Sequence, residues 1–466
     1  MDSAAPPRRH SAQLFDFLAA FAHAPAPATV QAQARRCLLD SIGCALFGAR
    51  QEWGRLMADQ VIAESARGKS TLFGRADTVK AAAAALANGT STHGFELDDL
   101  IAEGLVHPGA VVVPAAFAVA EATGASGERL LTAIAAGYET MLRISLAMTS
   151  SPWQRGFHCT GVVGPVGAAV AAGVVMGFNA QQIAGAVGLA CSCGAGLKTF
   201  ANGSGGGMVK RLHAGQASAS GVRAAELAAR GFTGPSAALD GRFGLIEAFA
   251  GGDARLEELT KDLGKTWAID SVWTKMYPIC GWIHGVAELI EQLRGPAPLA
   301  ADAVKRVRVG TARHAVHANN EVAPADTMGA QYSIPYCAAL AVTGDAADPA
   351  TYAQSAVDRP GWRELARRVE LYVEQKAEDV YPAQFASYVT LELASGEQRV
   401  AETMDPHGTP GSPCSDAERE QKFRRLASAS LTPGAIDDVY RTIEAIATAP
   451  SVEALSAALR APRNVV

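Results

Sequence analysis

Between Ser11 and about Gly251 the chain presents one helical segment after another, and several of these are apolar on more than one face. Apolar-periodic stretches at about 11–22, 29–48, 78–91, 110–123, 127–149, 161–176, 180–196 and 213–230 are each bounded by Gly, Pro, Ser or Asn. A helix with a single apolar stripe lies on a core, whereas one that is apolar all round must lie inside it. The pattern therefore predicts a large bundle in which some helices enclose others. Ala214-Gly-Gln-Ala-Ser-Ala-Ser-Gly221 carries side chains small enough for close helix approach without a membrane. The most apolar stretch, Val162 to Gly177, is glycine-broken and reads as shorter than the roughly 18–20 residues that cross a bilayer. The N-terminal residues contain no continuous apolar region of the secretory type. A soluble, cytoplasmic protein is expected.

After Trp267 the texture changes. Val304 to Val309 and Val369 to Val373 alternate apolar and polar residues as half-buried strands do. Tyr388 to Leu393, Ser395-Gly396 and Gln398 to Met404 read as a hairpin, with helices near 281–294 and 331–343 to cover one face. A Pro- and Gly-rich connector, Asp405 to Pro413, precedes Ser415-Asp-Ala-Glu418, a capping box that opens a charged helix to about Ser428. Helices near 433–447 and 451–459 return to the first domain. The expected fold is mainly α. A large all-α helical domain (1–268 and 405–466) carries an inserted smaller α+β lid domain (269–404). A chain of 466 residues is long enough for two such cores.

Composition narrows the partners. Net charge is −5 and no basic stripe interleaved with aromatics occurs, which argues against nucleic acid. The eight cysteines form no CxxC pair, as expected of reduced, mostly buried thiols.

The chemistry concentrates in a few places. Gly203-Ser-Gly-Gly-Gly-Met-Val-Lys-Arg-Leu-His213 is a glycine-rich loop entering a helix. Its amides, those of Gly205, Gly206 and Gly207 included, are suited to an anion at the helix start. Lys210, Arg211 and His213 stand beside it. The loop has neither Walker nor GxGxxG spacing, so the anion read here is a carboxylate. His107 and His158 open two apolar helices. Glu96, Asp98 and Asp99 cluster after a third, without DxDxDG or HExxH spacing, so no metal is expected. Glu139 and Arg143 have the spacing of an intrahelical pair. Lys275, before Pro278 and Cys280, sits at the junction between domains.

The segments NGTSTHGFELDD, HPGAVVVPAAFAVAE, GFHCTGVVGPVGAA, GSGGGMVKRLHAGQASASG, RGFTGP, KMYPICGWIH and HGTPGSPCSDAEREQKF occur in this order from about residue 80 to 425. Together they resemble the MmgE/PrpD family, which includes 2-methylcitrate dehydratase, cis-aconitate decarboxylase and iminodisuccinate epimerase. The resemblance implies a helical domain with an α+β lid, and a homodimer without metal or cofactor that acts on small di- or tricarboxylates. It implies that His107, His158, Lys210 and Lys275 are catalytic, and that Glu96 to Asp99 match the family's acidic motif, with Glu96 where Asp is common. Two departures stand out. Leu100 replaces a common hydroxyl residue, and Cys280 stands where cis-aconitate decarboxylases carry a histidine, which weighs against decarboxylation.

The activity expected is a metal-independent lyase that dehydrates a small hydroxy di- or tricarboxylate by removing a proton α to a carboxylate. An epimerase or isomerase of a dicarboxylate, or a cis-aconitate-type decarboxylase, is the alternative. The developing enediolate would be neutralised by the Gly203–Gly207 amides, Lys210 and Lys275. The base would be His158 or Lys210, with His107 opposite as acid and Asp98 or Asp99 orienting a histidine. His213 and Cys280 complete the expected substrate-binding set.

Overall fold

The computed structural model describes residues 9–24, 26–202 and 206–460. Gly203, Ser204 and Gly205, in the expected carboxylate cradle, lie outside them. The chain is mainly α-helical. Its first part runs through α1 (His10–Ala22), α2 (Ala28–Gly48), α3 (Glu52–Glu64), α4 (Ala81–Thr92), α5 (Gly109–Thr123) and α6 (Gly127–Ala147). It continues through the single-turn α7 (Ser151–Gln154), α8 (Cys159–Met176), α9 (Ala180–Ala190) and α10 (Met208–Ala229).

Three local readings need correction. Thr78 and Val79 are not helical: they form β2, paired antiparallel with β1 (Arg67–Thr71), and the helix begins only at Ala81. A two-residue strand is too short to show a period of two. Helix α3 escaped notice because only Gly54, Ala58 and Val61 are buried along it, too narrow a stripe to read. Helix α8 is 18 residues long with a mean hydropathy of 1.8, so by length and composition it is apolar enough to cross a bilayer. Its environment is protein, however, with 94% of it buried by its neighbours.

The small residues of α10 serve close approach. A Cβ on Gly215 would lie 2.2 Å from Thr90 Oγ1 and 2.3 Å from Leu86 O, and one on Gly221 would lie 2.4 Å from Ala168 Cβ. Helix α10 is thereby seated directly on α4 and α8, which brings its first turn beside the segment that follows α4.

Two apolar clusters make up the interior. The first draws on residues from Leu14 to Val272 and again from Phe423 to Leu459, so the C-terminal helices return to it. The second draws on Trp273 to Leu393 and takes in Phe95, Leu97 and Leu100. It surrounds a four-stranded sheet of order β4-β3-β5-β6, made of β3 (Val304–Thr311), β4 (Val369–Val373), β5 (Ser387–Leu393) and β6 (Gln398–Thr403). β3 and β4 run parallel, whereas β5 pairs antiparallel with both β3 and β6. The capping box at Ser415 and Glu418 opens the Asp416–Ala427 helix. That helix sends Lys422 inward, where its Nζ donates to Asp40 Oδ1 (2.6 Å) and to Leu97 O (2.7 Å). The 93–100 segment is thus held from behind while its front faces the second cluster.

Candidate active site

A cavity lies where the two clusters meet. Its enclosed space is small, about 50 Å³, well under the roughly 300–1,000 Å³ usual for small-molecule sites. One wall is polar: Glu96, His107, His158, Lys210, Lys275 and Tyr332. Cys280 and the side chains of Leu100 and several aromatics line the rest.

Glu96 follows the short turn His93–Phe95 in a left-handed conformation (φ 57°), which turns its side chain away from the helix path. Its buried carboxylate meets three cations. Lys210 Nζ donates to Oε1, Arg211 Nη1 donates to the same oxygen at 2.8 Å, and Lys275 Nζ lies 3.5 Å from Oε2. Burial alone would raise the Glu96 pKa, but Lys210, Lys275 and Arg211 outweigh it and hold the carboxyl well below its ordinary range. Burial lowers the Lys210 pKa, against the pull of Glu96 and with help from Lys275 and Arg211. Lys210 Nζ also donates to Tyr332 Oη at 2.9 Å. Gln331 ties the segments together: its Nε2 donates to Phe95 O (3.0 Å) and Pro278 O (2.9 Å), and its carbonyl accepts from Cys280 N (2.9 Å). Three cations facing one carboxylate leave an excess of positive charge that an anionic ligand can neutralise.

Beside this cluster three imidazoles converge. His93 and His107 lie edge-on at 4.9 Å between ring centroids, His93 and His158 stack at 5.5 Å, and His107 and His158 are 6.4 Å apart. His107 Nδ1 donates to Asp99 O at 2.7 Å and lies 3.2 Å from Asp98 Oδ2. Its proton is therefore on Nδ1, and Nε2 is the nitrogen left free. His93 Nδ1 donates to the same Asp98 oxygen at 2.7 Å. Burial pushes the His93 pKa down to about 3 despite Asp98. His107 is also lowered by burial, with Asp98 opposing and Lys275 and Lys210 adding to the effect. Asp98 keeps the charge: burial opposes this, but the two imidazole N–H donors hold its carboxyl well below the ordinary range. His158 has no carboxylate partner among the described residues. Burial, then His93, Lys210 and His213, drive its pKa well below the ordinary value. All three rings are neutral at neutral pH.

Several expected substrate contacts sit elsewhere. Asp98 lies behind His107 rather than in the cavity. Asp99 accepts from Tyr138 Oη (2.5 Å) and from Gly109 N (2.9 Å), so one oxygen secures the start of α5 and the other is tied to α6. Burial, with Asp40 and Asp98 adding, raises its pKa to about 7 against those two hydrogen bonds. His213 stands behind His158, their Nδ1 atoms 3.1 Å apart, and burial followed by Lys210 lowers it to about 4. Gly207 belongs to a second, outer chamber, and its lack of a side chain serves Met328, whose Cβ would lie 2.7 Å from an added Cβ. Gly206 has a positive φ of 72° and open space around it. Neither Gly206 nor Gly207 lines the inner cavity that holds Lys210. Cys280 does line the cavity, and burial pushes its thiol up to about 11, so it is a neutral group there. Glu139 and Arg143 pair at 2.7 Å.

Three contributors went unassigned in the sequence. His93 lay inside a quoted motif, and its place one turn before Asp98 was the available signal. Gln331 and Tyr332 precede the Ile334–Thr343 helix far along the chain, and no local pattern links them to Glu96.

His93, Asp98 and His107 could each offer one atom to a metal ion, all within 4.8 Å of one another. His107 Nδ1 is already committed to a backbone carbonyl through its proton, and a metal there would have to displace that bond. The geometry reads as a hydrogen-bonded His-Asp-His group.

Fold and site together define a two-core, mainly α protein with an imidazole–ammonium cavity at the junction. The MmgE/PrpD N-terminal domain matches residues 12–257 and the MmgE/PrpD C-terminal domain matches residues 277–443. The chain belongs to the MmgE/PrpD family. Among curated relatives, a cis-aconitate decarboxylase from Aspergillus terreus is 27% identical over 444 residues, covering 90% of this chain and 88% of the relative. The human cis-aconitate decarboxylase is 26% identical over 448 residues, covering 92% and 90%. A cis-aconitate decarboxylase-like protein from Aspergillus oryzae is 27% identical over 96% of each chain.

Proposed function

We propose that this protein is a lyase for a small carboxylate, working through a carbanion α to a carboxylate group and, in the first reading, dehydrating a hydroxy acid. The carrying observation is one cavity in which a His107 Nε2 backed by Asp98 shares space with Lys210, Lys275 and Tyr332. The C–H bond beside a carboxylate is a very weak acid, so the enediolate formed on deprotonation needs fixed cations. Lys210 and Lys275 supply them, and a substrate carboxylate competes with Glu96 for both. His107 replaces His158 and Lys210 as the base. It is neutral and ready to accept a proton, and Asp98 then stabilises the imidazolium. His158, ringed by cations and imidazoles, serves as a neutral donor instead. Lys210 or Tyr332 delivers the proton to the departing hydroxide. The segment around the second cluster acts as a lid that excludes water.

Decarboxylation is the second reading, favoured by the names of the relatives. There the same cations hold the carbanion left by CO₂, and a protonated group quenches it. Proton NMR on a panel of citrate-, aconitate- and succinate-like acids separates the two. Hydroxy-acid substrates giving alkene without CO₂ support dehydration; CO₂ release with a new C–H bond replaces it by decarboxylation. Inversion with C–H exchange alone points to an epimerase, and no exchange or turnover on any acid overturns the carboxylate reading.

A further inference from the structure

The cavity lining includes a set of apolar residues that the chemistry above does not use. These are Leu100, Leu105, Trp153, Phe200, Trp282 and Phe385, of which Phe200 packs against His158 at 5.2 Å between ring centroids. The aromatics are contiguous: Trp153 and Trp282 have centroids 5.9 Å apart, and Trp282 and Phe385 5.8 Å. Cys280, on the same lining, is a neutral thiol. The inner cavity offers two ammonium groups, Lys210 and Lys275, and a third cation, Arg211, touches the same Glu96 carboxylate. Glu96 and the ionised Asp98 behind His107 offset two of these three charges, so the site balances less negative charge than a tricarboxylate carries. A third carboxylate would be pushed against leucine, indole and phenyl surfaces, and burying it unpaired is costly. The Trp153 and Trp282 indole N–H groups are themselves buried without partners among the described residues, but neutral donors do not replace a cation there.

The apolar wall also leads outward. Trp153, Phe200, Trp282 and Tyr332 line both the inner cavity and the outer chamber. Lys198 in that chamber is engaged by Trp153, donating to its carbonyl at 3.0 Å and lying 4.2 Å from its ring centroid. Glu321 and Asp326 line the same chamber and make it unfavourable for a further anion.

We infer that the substrate is a dicarboxylate bearing an apolar substituent, an alkyl chain or aryl group of several carbons, that lies on the Leu100–Trp282–Phe385 wall and extends toward the outer chamber. This rests on the carboxylate reading above. Each buried methylene is worth roughly a fourfold gain in affinity.

The test uses the whole protein and inert 2-substituted succinates, which share the two carboxylates and cannot react. Calorimetry compares methyl-, butyl- and benzylsuccinate with tricarballylate, the carboxymethyl member. Butyl- and benzylsuccinate are expected to bind at least tenfold more tightly than tricarballylate. Trp282→Ala should remove most of that preference while leaving methylsuccinate within about threefold. Equal or tighter binding of tricarballylate overturns the inference and leaves the carboxylate function standing. If no succinate binds, and lysine-to-alanine change at 210 alters nothing, both fall. The ligand series alone decides the matter if Trp282→Ala does not fold.

Discussion

Replacing Asp98 by asparagine removes the one carboxylate behind the proposed base without changing its volume. Asp98 Oδ2 accepts from His93 Nδ1 at 2.7 Å and lies 3.2 Å from His107 Nδ1. An opposite charge this close shifts an imidazole pKa by about 1–3 units, which is roughly 1.4–4 kcal/mol of imidazolium stability. With about half the proton transferred at the transition state, that alone slows turnover by about 3- to 30-fold. The amide adds a second defect. An asparagine NH₂ turned toward His107 would face an N–H that cannot move, because Asp99 O already holds it. Together these predict a fall in kcat/KM of about 10²-fold, on the scale of a lost acid–base function. KM should change by less than about threefold, since Asp98 does not line the cavity. The acid limb of the kcat/KM profile should move to lower pH, because an imidazole without its carboxylate is harder to protonate. Steady-state kinetics from pH 5 to 9, with circular dichroism to verify folding, measures all three. Unchanged kcat/KM in a folded Asp98→Asn protein, or an acid limb displaced upward, refutes the pairing of Asp98 with the base.

Other expectations follow from the same geometry. Asp99, held near pKa 7 by burial, favours its protonated form in the folded state, so it contributes stability below its unfolded value near 4 and loses it as pH rises through 7. The loss is on the order of 4 kcal/mol, and Asp99→Asn should therefore gain Tm relative to the parent between pH 5 and 8; a constant difference would contradict it. His93 runs the other way. Its folded pKa near 3 means that stability present above 6.5 is lost as pH falls toward 3, on the order of 5 kcal/mol, so His93→Phe should flatten the acid side of a urea-stability profile. Gly215→Ala forces a Cβ to within 2.2 Å of Thr90 Oγ1 and should cost about 3 kcal/mol or more, read as a lower urea midpoint; wild-type stability would mean that α10 and α4 are less tightly seated than described.

The helices were legible because their periodicity is local, and His107, His158, Lys210 and Lys275 could be grouped because each stands near the start of a helix or at the junction of textures. What escaped was the direction of side chains fixed by tertiary context. Nothing in the order Phe95-Glu96-Leu97 announces a left-handed residue, yet that conformation aims Glu96 at Lys210 and Arg211. The glycine at 207 looked like a ligand-facing residue, whereas it accommodates Met328, more than a hundred residues away. The Asp98–Asp99 pair is adjacent in the chain but divided in duty, one carboxylate behind His107 and the other anchoring α5. Only the fold separates such neighbours.

Deuterium incorporation next to a carboxylate, followed by proton NMR in D₂O with the best acid from the panel, tests the central claim most directly. The wild-type protein should exchange or eliminate the α-hydrogen, and His107→Ala should lower that rate by about a hundredfold or more with folding intact. Exchange at the wild-type rate in His107→Ala would place the base elsewhere and contradict the account.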